Sequence, residues 1–108
     1  MNGIYTVKQV NSYIKNMFTQ DFMLNRIYVK GEISNCKYHP SGHIYFSLKD
    51  ESGTIACVMF AGSRAGLSFT LKNGQRVIAF GSVSVYERDG KYQLYAREIK
   101  LDGAGELY

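Results

Sequence analysis

The chain has no tryptophan, a single proline and only two cysteines among 108 residues. One proline leaves no room for a polyproline spacer or an extended proline-rich linker. The cysteines, Cys36 and Cys57, fall inside predicted strands with no CxxC pair and no Cys/His ligand spacing. That pattern favours two reduced thiols in a reducing, cytoplasmic compartment over a disulfide or a metal site. Long apolar runs are also missing: nothing approaches the ~20 residues that a membrane-spanning helix needs. Residues 1–8 lack a basic segment followed by an apolar run, so neither secretion nor insertion is expected. There is no basic tail; the net charge of +4 is divided evenly between the two halves. This excess suits a polyanionic partner without requiring one.

Catalytic patterns are equally scarce. Ser41-Gly42-His43 does not sit on a strand-to-helix nucleophile turn, and Asp50-Glu51 reads as a turn rather than a paired acid and base. His39 and His43 straddle Pro40 and Gly42, so they do not share a helix face as two metal ligands would. No glycine-rich phosphate loop is present. Neither enzyme activity nor a cofactor is expected of these residues.

What the chain does hold is rings and alternation. Nine tyrosines and six phenylalanines accompany a 45% hydrophobic, 20% charged composition with eleven glycines. That is a globular chain with tight turns, long enough for one core. Between residues 6 and 18, Val7, Val10, Ile14, Met17 and Phe18 recur every three or four positions, which predicts a helix ending near Thr19. Thr6 and Gln9 form a potential capping box, with Tyr5 and Val10 as a staple. The apolar stripe of this helix needs a partner, and the following sheet is the expected one.

Period-two alternation then predicts five strands. In the first, residues 27–37, Ile27, Val29, Gly31 and Ile33 share one face, while Tyr28, Lys30, Glu32 and Ser34 share the other. Gly31 permits the sharp coiling of a small closed barrel. The second, residues 43–49, turns Ile44, Phe46 and Leu48 inward and His43, Tyr45, Ser47 and Lys49 outward. The third, residues 54–60, is apolar on both faces, which suggests a central position or cover from the helix. Residues 61–67 are weakly helical or a turn. Lys72-Asn73-Gly74 then turns the chain into a fourth strand near 75–86, and a charged Asp-Gly loop leads to a fifth near 92–101. The fold class is therefore all-β: a five-stranded oligonucleotide-binding (OB-fold) barrel with an N-terminal helix and a short helix or turn between strands three and four. An SH3-like barrel or a β-sandwich fragment is the competing architecture. Residues 1–22 are expected as a helical extension packed on the barrel, 23–102 as the barrel, and 103–108 as the start of a linker.

The most specific runs are Val29-Lys30-Gly31-Glu32-Ile33-Ser34-Asn35 and Ser41-Gly42-His43-Ile44-Tyr45-Phe46-Ser47-Leu48-Lys49-Asp50. With Ala56-Cys57-Val58-Met59-Phe60, Gly81-Ser82-Val83-Ser84-Val85-Tyr86 and Gly90-Lys91-Tyr92-Gln93-Leu94, they closely resemble the N-terminal domain of the large subunit of bacterial exodeoxyribonuclease VII. The opening Tyr5-Thr6-Val7, Asn11 and Tyr13-Ile14 and the closing Gly103-Ala104-Gly105-Glu106-Leu107-Tyr108 extend the likeness over the whole chain. The resemblance implies a single-stranded DNA-binding domain of a nuclease, cut from a longer protein whose catalytic domain and multiple small subunits lie elsewhere.

Sequence-tolerant binding of a single strand needs cations for phosphates and flat side chains for bases. The outward positions Tyr28, Lys30, His43, Tyr45 and Lys49 offer both, as do Lys37, Tyr38 and His39 on the first loop and Arg88, Lys91 and Tyr92 on the last. Each has a plainer explanation. Tyr28 could pack against the helix, Lys30 and Lys49 could be ordinary solvated residues, and Glu87 and Asp89 partly cancel Arg88 and Lys91. The outer tyrosines would equally suit a protein partner, such as the catalytic domain or another subunit, and nothing in the sequence distinguishes DNA from RNA.

Overall fold

The computed structural model describes residues 3–103. Helix α1 spans Val7–Gln20, and the strands are β1 (Ile27–Tyr38), β2 (Ile44–Lys49), β3 (Thr54–Met59), β4 (Arg76–Tyr86) and β5 (Lys91–Leu101). A 3-10 helix, Ala61–Gly66, occupies the predicted short element between β3 and β4. The predicted capping box starts α1: Gln9 N–H donates to Thr6 Oγ1 at 3.1 Å, and Thr6 N–H to Gln9 Oε1 at 2.9 Å.

The strands close in the order β1-β2-β3-β5-β4. Closure depends on β1 pairing twice, its first half with β4 and its second half with β2. A short parallel ladder, Cys57 with Leu94 and Val58 with Tyr95, joins β3 to β5. A closed barrel removes free edges and leaves one interior, filled by Ile33, Ile44, Phe46, Leu48, Met59, Val77, Leu94 and Ile99, among others. Gly31 lies where β1 passes from one partner to the other. A Cβ there would stand 3.1 Å from the Lys49 carbonyl oxygen, a tight approach that glycine avoids.

Two departures from the alternation bear on the site. First, β1 changes phase. Ser34 pairs with Ser47 but Lys37 pairs with Tyr45, so β1 spends one residue more than β2. Asn35 makes this bulge with φ at 51°, a left-handed conformation that asparagine tolerates better than most residues. Odd-numbered residues face inward before the bulge; after it Cys36 packs on the core and Tyr38 lies opposite the buried Ile44.

Second, most of the apolar stripe of α1 does not receive the cover expected from the sheet. No residue of the helix is buried, and Val7, Val10, Tyr13, Ile14 and Met17 are all exposed. The barrel fills its own interior with strand side chains, so the helix instead meets the rim of the β4–β5 hairpin with a mainly polar side. Asn11 Nδ2 donates to the Glu87 carbonyl oxygen at 2.9 Å, Ser12 Oγ to Glu87 Oε2 at 2.7 Å, and Lys15 Nζ lies 3.4 Å from Glu87 Oε1. Phe18 is the apolar exception: it packs on the core and stands 6.2 Å from the Tyr92 ring.

Candidate nucleic-acid interface

The outer surface of β2, β3 and β5 carries a run of rings. Register places Tyr45 on β2, Val58 on β3 and Tyr95 on β5 side by side. Tyr45 is half-exposed, while Val58 is buried without belonging to the interior cluster, so it floors this surface. His39 and His43 meet the Tyr45 ring nearly edge-on at 6.1 and 6.4 Å. His43 lies 5.1 Å from Phe60, and Phe60 lies 5.7 Å from Tyr95. Gln93 Nε2 donates to Tyr95 Oη at 2.9 Å, which fixes the far end.

Both imidazoles are held by main-chain N–H groups. Ala61 N–H donates to His43 Nδ1 at 2.9 Å, and Ser41 N–H donates to His39 Nδ1 at 3.1 Å. An Nδ1 that accepts carries no proton in the neutral ring, so in this hydrogen-bond network each histidine keeps its proton on Nε2 as a donor. Cations stand close by. Lys37 is the ladder partner of Tyr45 and therefore shares its face. Arg64, on the 3-10 helix, donates to the Gly42 carbonyl oxygen at 3.0 Å and lies 5.6 Å over the Tyr38 ring.

The eleven residues expected from sequence divide into separate groups. Lys37, His39, His43 and Tyr45 come together on the ring-bearing surface. Tyr38 lies beside it, but its hydroxyl is committed to the main chain of Leu71, donating to the oxygen at 2.9 Å and accepting from the N–H at 2.7 Å. Arg88 and Lys91 are exposed at the β4–β5 hairpin. Tyr92, expected on that loop, is the second residue of β5, opposite Val85, and turns its ring to Phe18.

Lys30 and Lys49 share a small surface cavity with Asp50, of about 180 Å³. Lys49 Nζ also lies 4.0 Å from Glu32 Oε2. Tyr45 and Lys49 do face the same side, yet at ~3.3 Å per residue they are ~13 Å apart along β2. Tyr28 does not pack against α1; it is exposed and lies tilted against Phe80 of β4, with centroids 4.7 Å apart. Phe60, Arg64, Gln93 and Tyr95 are the additions sequence reading missed. Alternation carried into the fifth strand marks Gln93 and Tyr95 as outward, but the parallel β3–β5 ladder that brings them beside Phe60 leaves no local signal.

Among the described residues, no group of three or more His, Cys, Asp or Glu side chains is placed to hold a metal ion. No helix of the described residues is long and apolar enough to cross a membrane. Burial pushes the Cys57 thiol up to about 12 and raises that of Cys36 as well.

A ring-lined surface on a barrel with this strand order fits a known family, whose model, an OB-fold nucleic acid binding domain, matches residues 5–100. The chain belongs to that family. Among curated proteins, this OB-fold domain is 71% identical over its whole length to the exodeoxyribonuclease 7 large subunit of Lachnoclostridium phytofermentans, and spans 27% of that protein. It is 57% identical over 95% of its length to the same subunit from Clostridium botulinum, strain Okra, spanning 26% of it. The chain therefore covers about a quarter of the curated relatives it matches, in accord with the resemblance seen in the sequence.

Solved structures share the fold at low identity. An asparaginyl-tRNA synthetase from Pyrococcus horikoshii aligns with 73% of the domain and 20% of that chain, at TM-score 0.58 and 16% identity. A replication protein A heterotrimer bound to single-stranded DNA aligns with 72% of the domain and 57% of that chain, at TM-score 0.59 and 12% identity.

Proposed function

We propose that this OB-fold domain binds single-stranded DNA along the rings of His39, Tyr45, His43, Phe60 and Tyr95, and presents the strand to a nuclease catalytic domain elsewhere in a longer cytoplasmic protein. The observation that carries the reading is the unbroken succession of rings across β2, β3 and β5, each within 6.4 Å of the next. Bases stack on such rings whatever their sequence, while Lys37 and Arg64 supply charge for phosphates. The exodeoxyribonuclease 7 relatives and the DNA-bound replication protein A structure support a DNA strand as ligand. Phosphodiester hydrolysis and assembly with small subunits belong to the longer parent, and these residues act by positioning.

Anisotropy of a labelled DNA of roughly 20 nucleotides, titrated at two salt concentrations, tests this. Affinity should fall steeply with salt, as ion release requires. Tyr45→Ala with Tyr95→Ala should weaken binding by about tenfold or more while circular dichroism stays unchanged. Unchanged affinity with an intact fold would remove the rings from the site. A matched RNA oligomer that competed better than DNA would move the domain to RNA recognition.

A protein-docking role is favoured by a different observation, the exposed apolar stripe of α1, whose occupant would be the catalytic region of the longer parent. Val10→Asp with Ile14→Asp should then leave oligonucleotide binding intact and weaken association between the domain and that region.

A further inference from the structure

The succession of rings does not stop at Tyr95. Two residues further along β5, Arg97 is the extra residue at a second bulge, since Gly81 pairs with Ala96 but Phe80 pairs with Glu98. A bulge re-aims the side chain it carries. The Arg97 guanidinium lies 5.0 Å from the Phe80 ring centre, and Arg26, from the segment entering β1, lies 5.5 Å from the same ring. Tyr28 then packs at a tilt against Phe80 and is 71% exposed. Lys100 and Glu98 line the adjoining surface hollow with Tyr28 and Phe80, so three cations and one carboxylate surround two rings.

We infer that β1, β4 and β5 carry a second single-strand-binding patch, Arg26, Tyr28, Phe80, Arg97 and Lys100, so that a long strand wraps the barrel from Tyr45 past Tyr95 to Tyr28. The inference rests on the proposed DNA-binding role of the first surface. Charge identifies the occupant: the three cations outnumber Glu98, which favours a polyanion. The exposed Tyr28 ring offers a stacking platform, and a guanidinium beside a ring adds attraction for bases. Arg97 joins the two surfaces because it shares β5 with Tyr95, and its donor bond of 3.2 Å to the Asn25 carbonyl oxygen ties it to the approach to β1. The Tyr28 and Lys30 side of the barrel thus serves a strand after all, as a second stop rather than as part of the first.

The test compares oligodeoxynucleotides of about 6 and about 18 nucleotides, chosen at the low end of and above the usual span of a single such barrel. The variant is Arg26→Gln/Tyr28→Ala/Lys100→Gln. It should lose about tenfold in affinity for the longer strand. Its salt slope on that strand should shrink by about 1.4, at ~0.7 for each phosphate contact removed. Binding of the shorter strand should stay within twofold. Arg97→Gln, with an unchanged melting temperature, should give the same length-dependent loss.

Unchanged affinity and slope for the longer strand would overturn the second patch while leaving the first surface standing, and would turn these rings over to a protein partner. Equal losses on both lengths would also overturn it, because the patch would then not act as a separate stop. Failure of the unmodified domain to bind either length would overturn the DNA-binding role itself, and the second patch with it.

Discussion

Ser12 Oγ donates a 2.7 Å hydrogen bond to Glu87 Oε2, joining α1 to the β4–β5 hairpin across the length of the barrel sequence. This bond, helped by the nearby Lys15 and Lys8 ammonium groups and opposed by burial, lowers the Glu87 carboxyl from its ordinary value. A carboxyl that is a stronger acid when folded stabilises the fold above its unfolded value, and that contribution fades as pH falls through the lowered one. Acidification below the ordinary carboxylate range should therefore release α1 from the hairpin before the barrel melts. Amide exchange of α1 followed against pH checks this, and Glu87→Gln should flatten the dependence.

Tyr38→Phe should cost about 1–3 kcal/mol, because the Leu71 N–H loses its partner and the Leu71 carbonyl keeps only the weak Cys36 thiol donor. The ring remains, so affinity for single-stranded DNA should change by less than about twofold. Denaturant melts and anisotropy on one preparation separate the two effects. A large loss of affinity without loss of stability would move the Tyr38 hydroxyl into the binding surface.

Thiol reactivity should divide the cysteines. Cys57 is buried, with its thiol pushed up to about 12, so at neutral pH it holds almost no thiolate, the reactive form. Cys36 is only partly buried and its thiol is raised. Labelling of the native domain should modify Cys36 slowly and leave Cys57 intact, and denaturant should expose both. Mass spectrometry of the labelled peptides reads the outcome.

Gly81→Ala should be among the most damaging single-methyl additions. A Cβ on Gly81 would run into the Tyr95 carbonyl oxygen at the β4–β5 bulge, where both sides are backbone and neither can yield cheaply. We expect a loss of about 3 kcal/mol, or more than about 10 °C in melting temperature. Ser84→Ala, on the outer face of the same strand, should stay within about 0.5 kcal/mol.

The elements were legible because the barrel is built from clean local patterns. Alternation in β2 and β4 corresponds to their burial residue for residue, and the Thr6–Gln9 pair marked the start of α1. The site was legible only where it is local. His43 and Tyr45 lie two apart at the start of β2, Lys37 sits near the end of β1 beside Tyr45, and His39 follows on the adjacent loop. What escaped was set by non-local pairing: Phe60 and Tyr95 meet through a parallel ladder between strands distant in sequence, and Arg97 reaches Phe80 because a bulge re-aims it. The fate of the helix stripe was hidden for a related reason. An amphipathic pattern announces that a face wants cover, but not whether the rest of the chain has any left to give.

The bulge at Asn35 divides β1 into two halves of opposite parity, welded by one left-handed residue. That residue is surplus to the ladder, so the facing of the strand on its far side does not depend on it. Deleting Asn35 would let Ser34, Cys36 and Lys37 follow one another in plain alternation, with Cys36 still inward and Lys37 still beside Tyr45. What the extra residue supplies is therefore the local bend of β1 and not the choice of which side chains reach the core.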